Sequence, residues 1–205
     1  MSFQKRDIKT VPLGSGRVYL VEHKGETIPT EEALVAMCVP ANLAGESKGG
    51  STISYSVSTH KESDDHGVLT REVATEEDVK MKFGLFSWCL ESMQRLIRTG
   101  RIVQTSSNRF NVLKIGGLDN DDGKQYIVIF KHTDKKYSPL YAAMIGSNGA
   151  GLTIPFARDS VSKLEPEFTA VPCEDEGTLI KIFEDLGEPA KPEPEPEAGE
   201  TPDGE

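Results

Sequence analysis

From Arg101 onward the chain is a succession of short apolar runs closed by turn residues, and that punctuation most narrows the folds open to it. "RIVQTSSNRFNVLKI" leads into "GGLDNDDGK", then "QYIVIFKHT", "YAAMIG", "LTIPFA", "EFTAVPC" and "GTLIKIFE". Runs of this length and spacing read as antiparallel strands in a compact sandwich or barrel. Ile127, Val128, Ile129 and Phe130 are apolar without alternation, so that sheet needs cover on both faces. Either two layers of this chain supply it or another subunit does.

The first half fits the same class with more helix. The first dozen residues read as a polar arm, and "RVYLVE" at 17–22 is the first strand. "PTEEALVAM" suggests a short helix capped at Thr30, stopped by Pro40 and the glycines of "AGESKGGS". "STISYSVSTH" alternates through Ile53, Tyr55 and Val57 as a half-buried strand, and "VATEEDVKMKFGLFS" through Val79, Met81 and Phe83. The segment between them, "KESDDHG", is a polar exposed loop. One long helix is predicted over 87–99, "SWCLESMQRLIRT", with Ser87 as N-cap and Gly100 in the left-handed position after its end. Trp88, Cys89, Met93, Leu96 and Ile97 share one face of it, a stripe better suited to core packing than to a partner. Glu91 and Arg95 are spaced for an ion pair. The expected fold is thus mainly β, with one flanking α-helix.

Charge divides the chain into a body and a tail. The net charge is -10, and the last eighteen residues, "EPAKPEPEPEAGETPDGE", hold seven acids against one lysine. A Pro-Glu run of that kind has no apolar surface to bury, so 187–205 is expected to be disordered. Residues 1–14 then form an arm and 15–186 the folded domain. That domain carries only about -4, which argues against a basic surface gripping DNA. The opening "MSFQKRDIKTVPLGSG" has no apolar h-region, and no run approaches the ~20 apolar residues of a membrane span. The expectation is a protein made in the cytosol without a membrane anchor. Cys38, Cys89 and Cys173 are odd in number and widely spaced, and read as reduced, buried thiols.

Candidate sites for chemistry fail on inspection. "AAMIGSNGAGLTIPFA" has the glycines of a phosphate cradle, but feeds a strand-like run instead of a helix, and Ser147-Asn148-Gly149 reads as a hairpin turn. In "LDNDDG", an EF-hand register with Gly123 sixth would demand ligands from Leu118 and Ile129. Asp122-Gly123 is better as a turn. Asp64, Asp65 and His66 lack a second ligand pair at metal spacing, and no nucleophile motif accompanies His23, His60 or His132. No catalytic, metal or cofactor-binding set emerges, and the expectation is a protein that is not an enzyme.

The order of the pieces does carry a resemblance. The long polar loop, "TEEDVKMKFGLFSW", the helix ending "RLIRTGRI", "YIVIFKH", "YAAMIGSNGAGLTIPFARD" and "LEPEFTAVPCEDEGTLIKIFED" together resemble the major tail tube proteins of long-tailed bacteriophages and prophages. The likeness covers roughly 15–186, and its most telling part runs from Gly146 through "EFTAVPCEDEGTLIKI". It implies a structural virion protein: a β-sandwich with one helix, joined six to a ring, the rings stacked into a tail tube assembled in the bacterial cytoplasm. The implied partners are further copies of the chain, a tape-measure protein, and the tail terminator and distal tail proteins. DNA would pass down the lumen without tight binding, for which a mildly acidic wall is suited. The resemblance also makes the N-terminal arm and the loop Lys61, Glu62, Ser63, Asp64, Asp65 and His66 the expected contacts between rings.

Two other readings stand beside it. A tube protein of a contractile tail or a secretion system would share the architecture. A ligand-binding β-sandwich module would need exposed aromatic residues, and the chain is only 7% aromatic with its single tryptophan on the helix stripe.

Overall fold

The computed structural model describes residues 7–8, 11, 14–63, 70–121, 123–156, 162–172 and 174–186. Most of the expected N-terminal arm, the whole of the acidic tail at 187–205 and Cys173 lie outside them. Among the described residues are nine strands: β1 (Ser15–Glu22), β2 (Leu43–Ser63), β3 (Thr70–Leu85), β4 (Arg101–Gln104), β5 (Asn111–Lys114), β6 (Tyr126–Thr133), β7 (Leu140–Asn148), β8 (Glu167–Ala170) and β9 (Ile180–Glu184). Two short helices accompany them, α1 (Glu31–Met37) and α2 (Leu90–Leu96). The mainly β, antiparallel class stands, and α1 is the short helix expected after Thr30.

The large sheet closes on itself. Its order is β6, β1, β2, β3, β8, β7, β9, and β6 also pairs with β7. β7 meets β6 along Leu140–Gly146 on one side; on the other, β9 takes Leu140–Met144 and β8 takes Gly146–Asn148. Six strands therefore form a barrel, with β9 prolonging the β8 edge. Closure removes the free edges that an open sheet of this size would carry. β4 and β5 make a separate two-stranded sheet.

The unbroken apolar runs are explained within the chain. Alternate residues of β1, β6 and β7 fall into two clusters, because strand side chains change face at each residue. Val18, Leu20, Val128, Phe130, Ala142 and Met144 join Met81, Phe83 and Phe168 in one, with Met93 and Leu96 of α2. Tyr19, Ile127, Ile129, Tyr141, Ala143 and Ile145 join Ile28 and, from α1, Leu34 in the other. Two layers of this chain thus cover that sheet, so its doubly apolar strands call for no second subunit.

Three local expectations are corrected. α2 spans Leu90–Leu96 instead of 87–99; Cys89 is its N-cap, with Ser92 Oγ accepting the Cys89 N–H at 2.9 Å. Ser87 Oγ is engaged elsewhere, accepting from the Glu46 N–H at 2.9 Å. Met93 and Leu96 are buried and Trp88 packs beside them, so the stripe is core, yet Cys89 on the same stripe is exposed and Cys38 is half-buried. Cys89 is thus not a core thiol, whereas Cys38 packs against the cluster built around Tyr19 and Ile127. Gly100 does not take a left-handed φ; a Cβ there would lie 2.9 Å from the Ile97 carbonyl oxygen, so close approach explains the glycine. Arg95 ties α2 to the barrel by donating to the carbonyl oxygens of Leu20 and Ala41 at 3.2 and 3.3 Å.

The glycine-rich stretch also differs. Ser147 and Asn148 belong to β7, paired with Thr169 and Phe168 of β8, so they are strand and not turn. "LTIPF" after Gly151 is irregular instead of extended in a sheet. Asn148 is buried and its Nδ2 donates to the oxygens of Leu96 and Gly151, pinning the loop to the end of α2. Pairing to β8 and α2 outweighs the local turn preference of Asn-Gly.

Candidate assembly surface

The feature that leaves the barrel is the hairpin of β2 and β3. β2 pairs with β1 only through Leu43–Ser47, and β3 pairs with β8 only through Lys80–Lys82. Beyond those points β2 and β3 hold only each other, from Tyr55↔Val79 out to Ser63↔Thr70. Nine residues of strand from Tyr55 to Ser63 span about 30 Å. It is a two-stranded arm with both outer edges unpaired among the described residues.

Glycine sets where the arm begins. The β2–β3 register shifts between Ser47 and Ser51, where Gly49 and Gly50 have φ of +89° and +76°. Such a bulge re-aims a strand, and only glycine adopts that backbone cheaply. Ser47 Oγ donates to the Gly50 oxygen at 2.9 Å, closing the kink. A second shift between Ser58 and Thr59 leaves Thr75 without a β2 partner, and its hydroxyl donates to the Ser58 oxygen at 3.0 Å. Strong twist in the outer arm follows from such an insertion.

The arm is amphipathic and uncovered. Ile53 stands opposite Met81 and Tyr55 opposite Val79, so both lie on the face that continues the barrel interior. Met81 and Val79 are buried, but Ile53, Tyr55 and Val57 are 37%, 62% and 39% exposed. The expectation of a half-buried strand holds for Val79, Met81 and Phe83 and fails for Ile53, Tyr55 and Val57. The opposite face carries Ser54, Ser56 and Ser58. Glu77 faces Val57 and accepts the Tyr55 hydroxyl at 3.0 Å, which raises the Tyr55 pKa from its ordinary value. An isolated two-stranded ribbon is marginal in water, so an arm of this kind gains from a partner.

The expected inter-ring residues fall at its end. Lys61, Glu62 and Ser63 are exposed, but they continue β2 as strand, paired with Glu72, Arg71 and Thr70. Asp64, Asp65 and His66 lie outside the described residues. Sequence reasoning singled out the tip and did not expect the exposure of Ile53, Tyr55 and Val57 nearer the base. The available signal was length: the run from Ser51 to Ser63 exceeds what one wall of a small barrel needs.

A second edge lies across the molecule. β9 pairs with β7 alone, and Val35, Ile182 and Leu186 are exposed along a groove between it and α1. Acidic and basic groups elsewhere are paired at the surface: Glu165 with Lys163 and Lys82 at 2.8 and 3.2 Å, Arg17 with Glu46 at 2.8 Å. Among the described residues no group of three His, Cys, Asp or Glu side chains is placed to hold a metal ion, and no helix is long and apolar enough to cross a membrane. No protein-family model and no curated protein matches the chain.

Proposed function

We propose that this chain is a structural subunit that assembles with copies of itself into rings and stacked rings, as the tail tube of a long-tailed phage. The observation that carries the reading is the arm: about 30 Å of hairpin with two unpaired edges and an uncovered apolar face at Tyr55 and Val57, with exposed Ile53 at its base. Such a surface in a lone copy is an aggregation liability, and burial against a second copy removes it. The sequence resemblance over 15–186 supplies the kind of assembly. On this reading the chain is not an enzyme; it works in the virion tail beside tape-measure, terminator and distal tail proteins, with DNA in the lumen.

The test is negative-stain electron microscopy of purified protein over a concentration series, with mass by light scattering. Rings or hollow tubes are expected, and they would also report the symmetry. Monomer at every concentration, with and without added tape-measure protein, would end the reading.

A further inference from the structure

The arm is acidic as well as apolar, and the chain carries one surface that complements it. From Ser56 to Asp78 the sequence has seven carboxylates against Lys61 and Arg71. Between Glu91 and Asp119 it has five cations and no carboxylate: Arg95, Arg98, Arg101, Arg109 and Lys114. In a chain with net charge -10 this second segment is the exception, and three of its cations stand on the small β4–β5 sheet or its turn.

That sheet has an inner and an outer face. Ile102 pairs with Leu113, both half-buried, and Leu113 packs on the barrel cluster. Alternation turns Val103 and its partner Val112 the other way, where both are exposed. Exposed Phe110 extends the apolar strip at the turn, with the Arg109 guanidinium 5.1 Å above its ring. Arg101 and Lys114 close the other end as a cross-strand pair. Among the described residues neither Arg109 nor Lys114 has a carboxylate partner, and neither Glu72 nor Glu77 on the arm has a cation.

We propose that the outer face of β4–β5 is the docking site for the β2–β3 arm of a second copy. Ile53, Tyr55 and Val57 would lie against Val103, Phe110 and Val112, with Glu72 and Glu77 toward Arg109 and Lys114. The inference rests on the assembly reading and names its contact. Both surfaces are exposed in one chain, so they do not satisfy each other within it. A contact between two different patches is heterologous, and repetition of it closes a ring or propagates a filament.

The test places the photo-crosslinking residue benzoylphenylalanine at Tyr55 in the full chain and maps intermolecular products by mass spectrometry. Crosslinks to 101–115 of another copy are expected. Crosslinks to a different surface of another copy would overturn this docking site and leave self-assembly standing. Absence of any intermolecular product, with unmodified protein monomeric by light scattering, would overturn both. Charge reversal gives a second readout on exposed residues. Glu72→Lys with Glu77→Lys, or Arg109→Glu with Lys114→Glu, should each weaken self-association by about tenfold or more, and the four together should recover most of it. Equal loss in the four-fold variant and the two parents would sink the pairing.

Discussion

At the scale of single residues, the barrel is held by contacts that leave little slack. Phe168 is fully buried and stacks on Phe83 with ring centroids 5.7 Å apart, joining β8 to β3 through the interior. Phe168→Ala is expected to cost about 3–5 kcal/mol in urea unfolding. Gly146 lies where β7 and β8 approach, and a Cβ there would come within 2.1 Å of the Thr169 carbonyl oxygen. Backbone cannot rotate aside as a side chain does, so Gly146→Ala is expected to destabilise by about 1–3 kcal/mol. Glu165 is held below the ordinary carboxylate range by hydrogen bonds from Lys163 and Lys82. Because its folded pKa is depressed, it stabilises above the ordinary value of 4.5 and ceases to do so as pH falls through the lower folded value. Glu165→Gln should therefore lower the urea midpoint slightly at neutral pH, and the gap from wild type should shrink once pH drops below 4.5. A gap independent of pH would mean the carboxylate is not the source.

At the scale of elements, the arm separates stability from assembly. Its outer part contributes no residue to either buried cluster, so removing residues 61–66 is expected to leave a folded monomer that forms no tubes. Circular dichroism and electron microscopy on the same sample check both halves. Normal tubes from the shortened chain would show that the tip is not a contact. β1, β3, β6 and β7 were legible in the sequence because each is a run of apolar or alternating residues, a pattern set by the strand's own period. The end of α2 was less so. Its stripe through Ile97 continues in sequence, but the chain leaves the helix after Leu96 to bring Arg101 into the β4–β5 sheet. "RIVQTSSNRFNVLKI" hides a hairpin whose turn places Asn108 at φ +53°, a backbone that asparagine tolerates better than most residues.

At the scale of the whole molecule, the two apolar clusters share β1, β6 and β7, so neither can open without exposing the other. Chemical unfolding is expected to be one transition, with fluorescence of the single tryptophan, Trp88, and far-ultraviolet circular dichroism coinciding. A Trp88 change that precedes loss of β signal would show α2 detaching from a surviving barrel.

The sequence by itself determined the class of fold and the position of most strands, since alternation and turn chemistry act over a few residues. It also determined which side chains are candidates for burial. Tertiary structure alone decided which of them are covered. Val79, Met81 and Phe83 are buried, while Ile53, Tyr55 and Val57, written in the same apolar alternation, are left in the open. Cover comes from segments distant in the chain, and no local pattern records whether such a segment arrives.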